Sequence, residues 1–168
     1  MNQHTADYWI NHLALEIHPE GGAYSRVYTS PLTISKTSLP EKFHDSRSIC
    51  THIYYLLRQN EFSAFHKIQS DELWHFYDGD TLVVYEINAG GSLSEHLLGK
   101  NIEDGESLFC VIKAGNWFAS SLKGGGLFSL VGCTVSPGFD FAEFELAERN
   151  ELISQYPMHK ELITGLTK

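Results

Sequence analysis

The feature that most limits how this chain can fold is its punctuation between residues 23 and 136. Short runs rich in β-branched and aromatic residues succeed one another, and turn-forming residues fill the gaps where a helical repeat would otherwise stand. The runs are Tyr24 to Ser30, Ser48 to Leu57, Ser63 to Ile68, Glu72 to Tyr77, Thr81 to Ile87, Ser94 to Leu98, Leu108 to Ile112, Trp117 to Leu122 and Leu127 to Val135. Between them stand Arg58-Gln59-Asn60-Glu61, Asp78-Gly79-Asp80, Asn88-Ala89-Gly90-Gly91, Glu103-Asp104-Gly105-Glu106 and Gly124-Gly125-Gly126. Gly, Asn and Asp suit these places because they tolerate positive φ or bond their own backbone. Parallel strands need long crossovers, usually helical, and none is present, so the pattern predicts an all-β antiparallel sandwich or barrel. Pro31 to Asp45 is the long polar interruption and reads as a loop bordering an opening. No helix begins after the triple glycine, so a hairpin end explains it better than a phosphate loop does.

Both ends read as helical. Tyr8, Trp9, Leu13 and Leu15 recur at helical spacing behind Thr5, a suitable N-cap, until His18-Pro19-Glu20-Gly21-Gly22 breaks the pattern. After Ser136-Pro137-Gly138, the apolar positions Phe139, Phe141, Phe144, Leu146, Leu152, Ile153, Tyr156, Leu162, Ile163 and Leu166 predict a helical tail. At 168 residues the chain suffices for one core, which divides it into an N-terminal helix (1–17), a barrel (18–136) and a tail (137–168).

Charge and cysteines narrow the functional classes. Lys and Arg number 12 against 21 Asp and Glu, a net charge of -9, so nucleic-acid phosphates meet general repulsion. A small anion is not excluded, because a pocket's local field can oppose the overall sign. No apolar run approaches the ~18 residues of a membrane span, and no basic-then-apolar leader opens the sequence. Cys50, Cys110 and Cys133 are odd in number and set in apolar runs, as buried reduced thiols are. These signs together predict a cytoplasmic protein.

Chemistry concentrates in Phe65-His66-Lys67-Ile68-Gln69-Ser70-Asp71-Glu72-Leu73-Trp74-His75-Phe76-Tyr77-Asp78-Gly79. Alternation sends His66 and Ile68 to one face of a strand, and Glu72, Trp74 and Phe76 to one face of the next. If those faces are interior, an imidazole and a carboxylate meet among apolar side chains, as a general acid–base site or as a self-satisfied structural pair. His75, at odd spacing from Glu72, points away. His18-Pro19-Glu20-Gly21-Gly22 either lays an imidazole and a carboxylate at the barrel mouth or simply directs the first strand.

This stretch resembles the first motif of the cupins: His66 takes its first His, Ile68 replaces the second, Glu72 comes next, and Gly79 closes it. Lys113-Ala114-Gly115-Asn116-Trp117-Phe118 is similar to the second motif in place and order but keeps only the Gly. The chain is more similar to one branch, the cupin-5 or DUF985 family, through His18-Pro19-Glu20-Gly21-Gly22, Ile53-Tyr54-Tyr55-Leu56-Leu57, Ser70-Asp71-Glu72-Leu73-Trp74-His75-Phe76-Tyr77 and Leu130-Val131-Gly132-Cys133-Thr134-Val135-Ser136-Pro137-Gly138-Phe139. It departs from that family where Ser25-Arg26 stands in place of the usual Arg-Glu.

The resemblance implies a double-stranded β-helix, or jelly-roll barrel, paired as a homodimer, with no settled reaction. Metal-binding cupins hold their ion with three His and one Glu, and Ile68 and Phe118 stand at two of those positions, so no tightly bound metal or other cofactor is expected. The candidate catalytic pair is then His66 and Glu72, with Tyr54, Trp74, His75, Phe76, Lys113 and Phe118 as candidate ligand-binding residues. Three functions are compatible with this set: a metal-independent isomerase or epimerase acting on a carbohydrate-like metabolite, a non-catalytic ligand-binding or sensing cupin, and a metal-dependent enzyme with a non-standard ligand set.

Overall fold

The computed structural model describes residues 4–168. Its elements, in chain order, are α1 (Ala6–His12), β1 (Glu16–Ile17), β2 (Ala23–Thr29), β3 (Thr33–Ile34), β4 (Arg47–Ser48), β5 (Thr51–Arg58), β6 (Phe62–Lys67), β7 (Asp71–Gly79), β8 (Leu82–Ile87), β9 (Leu93–Leu98), β10 (Phe109–Ile112), β11 (Trp117–Leu122), β12 (Phe128–Ser136), β13 (Glu145–Leu146), α2 (Arg149–Gln155) and α3 (Lys160–Gly165). Two antiparallel sheets carry the fold. One has the order β1-β2-β5-β12-β7-β10 and the other β13-β6-β11-β8-β9, while β3 and β4 form a small ribbon in the long loop.

The strand ends agree with the sequence runs to within a residue or two at most places because turn chemistry is local. The partners are not local: β12 lies between β5 and β7, with Gly132 opposite Tyr54 on one side and His75 on the other. Alternation gives each strand of this sheet two faces. Inward residues such as Tyr55, Leu57, Trp74, Phe76, Val131 and Cys133 join Val84, Ile112 and Phe118 in the core between the sheets. The outer surface of β6 and β11 is covered by the C-terminal helices through Phe65, Trp117, Leu152, Tyr156 and Ile163. Thr5 accepts a bond from the Tyr8 amide and so caps α1, whose Trp9, Ile10 and Leu13 close over Leu56, Phe128 and Leu130.

The tail differs from the helical expectation over Phe139 to Leu146. That stretch is a loop with one 3-10 turn at Phe141–Glu143, capped by Asp140, followed by β13, and helix starts only at Arg149. Its phenylalanines owe their spacing to tertiary packing: Phe139, Phe141 and Phe144 form a cluster of ring contacts, and Leu146 pairs with His66 across the β13–β6 ladder.

Candidate functional site

Inward faces of β2, β5, β6, β7 and β12 line a narrow cavity of about 30 Å³. His18, Glu20, His66 and Glu72 all line it. Each is under a tenth exposed. Burial of ionisable groups in an apolar barrel is costly unless they are neutral or paired, and both solutions occur here.

Glu20 is the hub. Its loop folds back on itself through the Gly21 amide to His18 O and the His18 amide to Gly22 O, both at 3.0 Å. Only glycine fits at position 21, where φ is +122° and a β-carbon would collide with the Phe62 carbonyl oxygen. This turn drives the Glu20 carboxyl inward. Oε1 accepts from Ser63 Oγ at 2.8 Å, and Oε2 lies 3.1 Å from His66 Nε2 and 3.4 Å from His18 Nδ1. Tyr55, fully buried beside it, donates to Gly21 O at 2.9 Å.

The hydrogen-bond pattern fixes where protons sit. His66 Nδ1 is 2.8 Å from the Ala64 carbonyl oxygen, which can only accept, so Nδ1 carries a hydrogen. His66 Nε2 and Glu20 Oε2 then need one proton between them. Burial lowers the His66 pKa to about 4 and raises that of Glu20, so both shifts favour the uncharged arrangement with the shared proton on the carboxyl. His18 Nδ1 accepts the Glu20 amide hydrogen at 3.3 Å, consistent with a neutral imidazole whose pKa burial lowers.

Glu72 faces the same cavity from β7 with fewer partners. Burial first, and repulsion from Glu20 whenever it is ionised second, raise its pKa to about 8, against the opposing effect of a bond with the Cys133 thiol. A carboxylic acid still protonated at neutral pH therefore sits across the cavity from a neutral imidazole.

The family model described as "Cupin_5: Cupin superfamily (DUF985)" matches residues 7–147. The chain belongs to this family. No curated protein matches it. Among solved structures it is similar to protein SO0799 of Shewanella oneidensis, with 37% identity, a TM-score of 0.89 and 99% of each chain covered. It is also similar to a hypothetical protein of Leishmania major, with 32% identity, a TM-score of 0.88, and coverage of 98% of this chain and 99% of that one. Oxalate decarboxylase of Bacillus subtilis matches at 12% identity and a TM-score of 0.54, over 89% of this chain and 36% of that one, a likeness of fold alone. The two sheets are thus the jelly roll of a cupin.

In this Cupin_5 chain the residues singled out by sequence separate into three groups. His66 and Glu72 share the cavity wall, but the carboxyl within bonding distance of His66 belongs to Glu20, which corrects the expected His66–Glu72 pair. The Glu20 loop brings its carboxyl to the imidazole, whereas Glu72 stands on the opposite sheet. Trp74, Phe76 and Phe118 lie behind the wall in the core, and Phe118 packs against the His66 ring with centroids 4.0 Å apart. Alternation settles which side a residue faces and leaves its depth open, so these aromatics support the cavity and do not line it. Tyr54, His75 and Lys113 face elsewhere. Tyr54 and His75 stand on the outer face of the six-stranded sheet beside His52 and Tyr77, and Lys113 reaches Asp71 at 2.9 Å on the surface.

A cupin metal set does not fit these donors. Ile68 lines the cavity as a hydrocarbon, Phe118 covers His66 with its ring, and both His66 nitrogens are engaged by Ala64 and Glu20. Among the described residues no three His, Cys, Asp or Glu side chains are arranged to hold a metal ion. The three cysteines are free thiols, and burial pushes the Cys110 thiol up to about 12.

Sequence reasoning leaves His18 and Glu20 undecided and does not place Tyr24 or Arg26 at the site. The detectable signal is the His-Pro-Glu-Gly-Gly run, whose two glycines mark a backbone turned tightly enough to push a carboxyl inward. The rim adds a further contribution. Arg47, 4% exposed, pairs with Glu143, sits 3.7 Å from Asp140, and so fastens the long loop to the segment bearing Phe139, Phe141 and Phe144. Phe144 packs over His66 at 5.2 Å and Phe139 stands in the cavity lining.

Proposed function

We propose that the cavity binds a small polar, carbohydrate-like metabolite and moves a proton beside its carbonyl group, as an isomerase or epimerase that needs no metal does. The observation that supports this reading is the placement of Glu72 and the Glu20–His66 couple on facing walls of one cavity, where burial disfavours the charged form of each. Glu72, with a pKa near 8, carries a proton to donate at neutral pH. The complementary base is the Glu20–His66 couple: His66 Nε2, 3.1 Å from Glu20 Oε2, can take the proton of the Glu20 carboxyl and so leave a carboxylate to accept one from the guest. Of the chemically suitable donors for a developing oxyanion, Tyr54, Tyr77 and Lys113 lie outside the cavity and Tyr55 gives its hydrogen to Gly21 O, which leaves Tyr24 in the lining.

The test has two stages. A thermal-shift screen of sugars, small acids and keto compounds identifies a ligand, since binding to the native state raises its apparent stability. Turnover and affinity are then compared in wild type, Glu72→Gln and His66→Asn. Each substitution is expected to reduce turnover about 10²-fold or more while the ligand still binds. Wild-type turnover in both variants sinks the reading, and a ligand that binds without ever being converted favours a sensing role.

A further inference from the structure

Arg26 is the only lysine or arginine in the cavity lining among the described residues. It stands on β2 directly opposite Ile53 of β5, and the ladder shifts register between Arg26 and Tyr28. Such an irregularity bends a strand and re-aims its side chains. The guanidinium carbon lies 5.7 Å from the centre of the Phe139 ring, and Arg26 also lines the outer groove formed with Tyr24 and Phe141. It therefore spans the passage from solvent to cavity. It enters no ion pair with any described residue, although Glu16 borders the same groove.

An unpaired guanidinium at a mouth is a strong local attractor for an anion, because its charge is permanent and its fork matches carboxylate or phosphate oxygens in pairs. Behind it the usual objection to an anion in an acidic pocket is absent. Burial raises the pKa of both Glu20 and Glu72, which reduces the negative charge that the inner wall presents to an anion. The narrow cavity leaves room, beyond the anionic group, for only a few carbon atoms of the guest.

We propose that the ligand is a short-chain acid whose carboxylate or phosphate group is clamped by Arg26 at the mouth while its carbonyl end reaches toward Glu72 and His66. The inner half rests on the proton-transfer reading; the clamp does not.

The clamp is tested by calorimetric titration with two matched pairs, lactate against lactamide and glycerol 3-phosphate against glycerol. Wild type should prefer the acid of at least one pair by about tenfold or more, and the responding pair identifies the anionic group. Arg26→Gln should abolish that preference, and Arg26→Lys should restore part of it, since the charge returns without the fork. Arg26 is exposed, so both variants should fold, with urea midpoints near wild type. Equal binding of acid and neutral partner, a preference that survives Arg26→Gln, or no binding of either acid up to about 10 mM overturns the clamp. An Arg26-dependent preference in a protein that converts no ligand upholds the clamp and overturns the proton-transfer reading alone.

Discussion

The two faces of the six-stranded sheet are built from the same strands and many of the same residue types, yet they have become different chemical environments. Inside, Tyr55 and Glu72 share a cavity with His66 and Glu20. Outside, one residue along on the same strands, His52, Tyr54, His75 and Tyr77 surround Thr134. The Thr134 hydroxyl lies 2.7 Å from His52 Nδ1 and 3.2 Å from His75 Nε2, a bonded group as orderly as the inner one. What differs is water. Outer histidines are only partly buried; burial lowers the pKa of both, with His75 adding to the effect on His52. Inner groups are almost wholly withdrawn from solvent, and there burial moves a histidine to about 4 and a glutamate to about 8. Hydrogen-bonded order alone therefore does not displace a titrating group far from its ordinary pKa; desolvation does.

The largest effect comes from hollowing out the inner side. Phe118, 1% exposed against the His66 ring, should cost about 3–5 kcal/mol on replacement by alanine. Phe109, 43% exposed beside His75, should cost no more than about 1 kcal/mol. Urea denaturation of both variants measures the difference, and similar losses would mean that the two faces are equally part of the core.

A second expectation concerns pH. A carboxyl whose folded-state pKa is raised contributes stability fully below the unfolded value and loses it as pH rises through the folded value. For Glu72 that window runs from about 4.5 to about 8. His66 acts in the opposite sense, its lowered pKa removing stability as pH falls from about 6.5 towards 4. Wild type should thus lose stability relative to Glu72→Gln as pH rises across the first window, read as diverging urea midpoints. Parallel curves would show that Glu72 is not a buried acid.

The smallest effect lies on the outer face. Replacing His75 by glutamine removes the charge that disfavours protonation of His52, so the His52 pKa should rise towards its ordinary value while stability changes by less than about 1 kcal/mol. Titration of the His52 ring resonances by NMR checks this. An unmoved His52 titration would make burial its sole cause.

Much of this architecture can be read from the chain because it is written in local chemistry. Turn residues set the strand ends, and strict alternation puts His66 and Glu72 on inward faces and His75 on the outer one. Depth is a property of both sheets together, so Trp74 and Phe118, which alternation alone allows at a ligand, are found in the core. The Glu20 contact is hidden for a related reason: a short loop far from β6 in sequence delivers the carboxyl, and no periodicity reports such a meeting. Phe139 to Leu146 misleads in the other direction. Its phenylalanine spacing imitates a helix while serving a rim that packs on His18 and His66.

That rim also bears on the shape of the cavity. Phe139 is held by its amide to Thr51 Oγ1 at 3.1 Å, and the residues just after it are bolted to Arg47 through Glu143. Both members of the Arg47–Glu143 pair are nearly withdrawn from solvent, at 3% and 5% side-chain exposure. Breaking such a pair exposes two charges to poor solvation before water can replace the lost partner. The rim phenylalanines are therefore kept over His18 and His66 by a contact that does not involve either histidine, and the shape of the cavity depends on a charge pair at its edge as much as on the groups inside it.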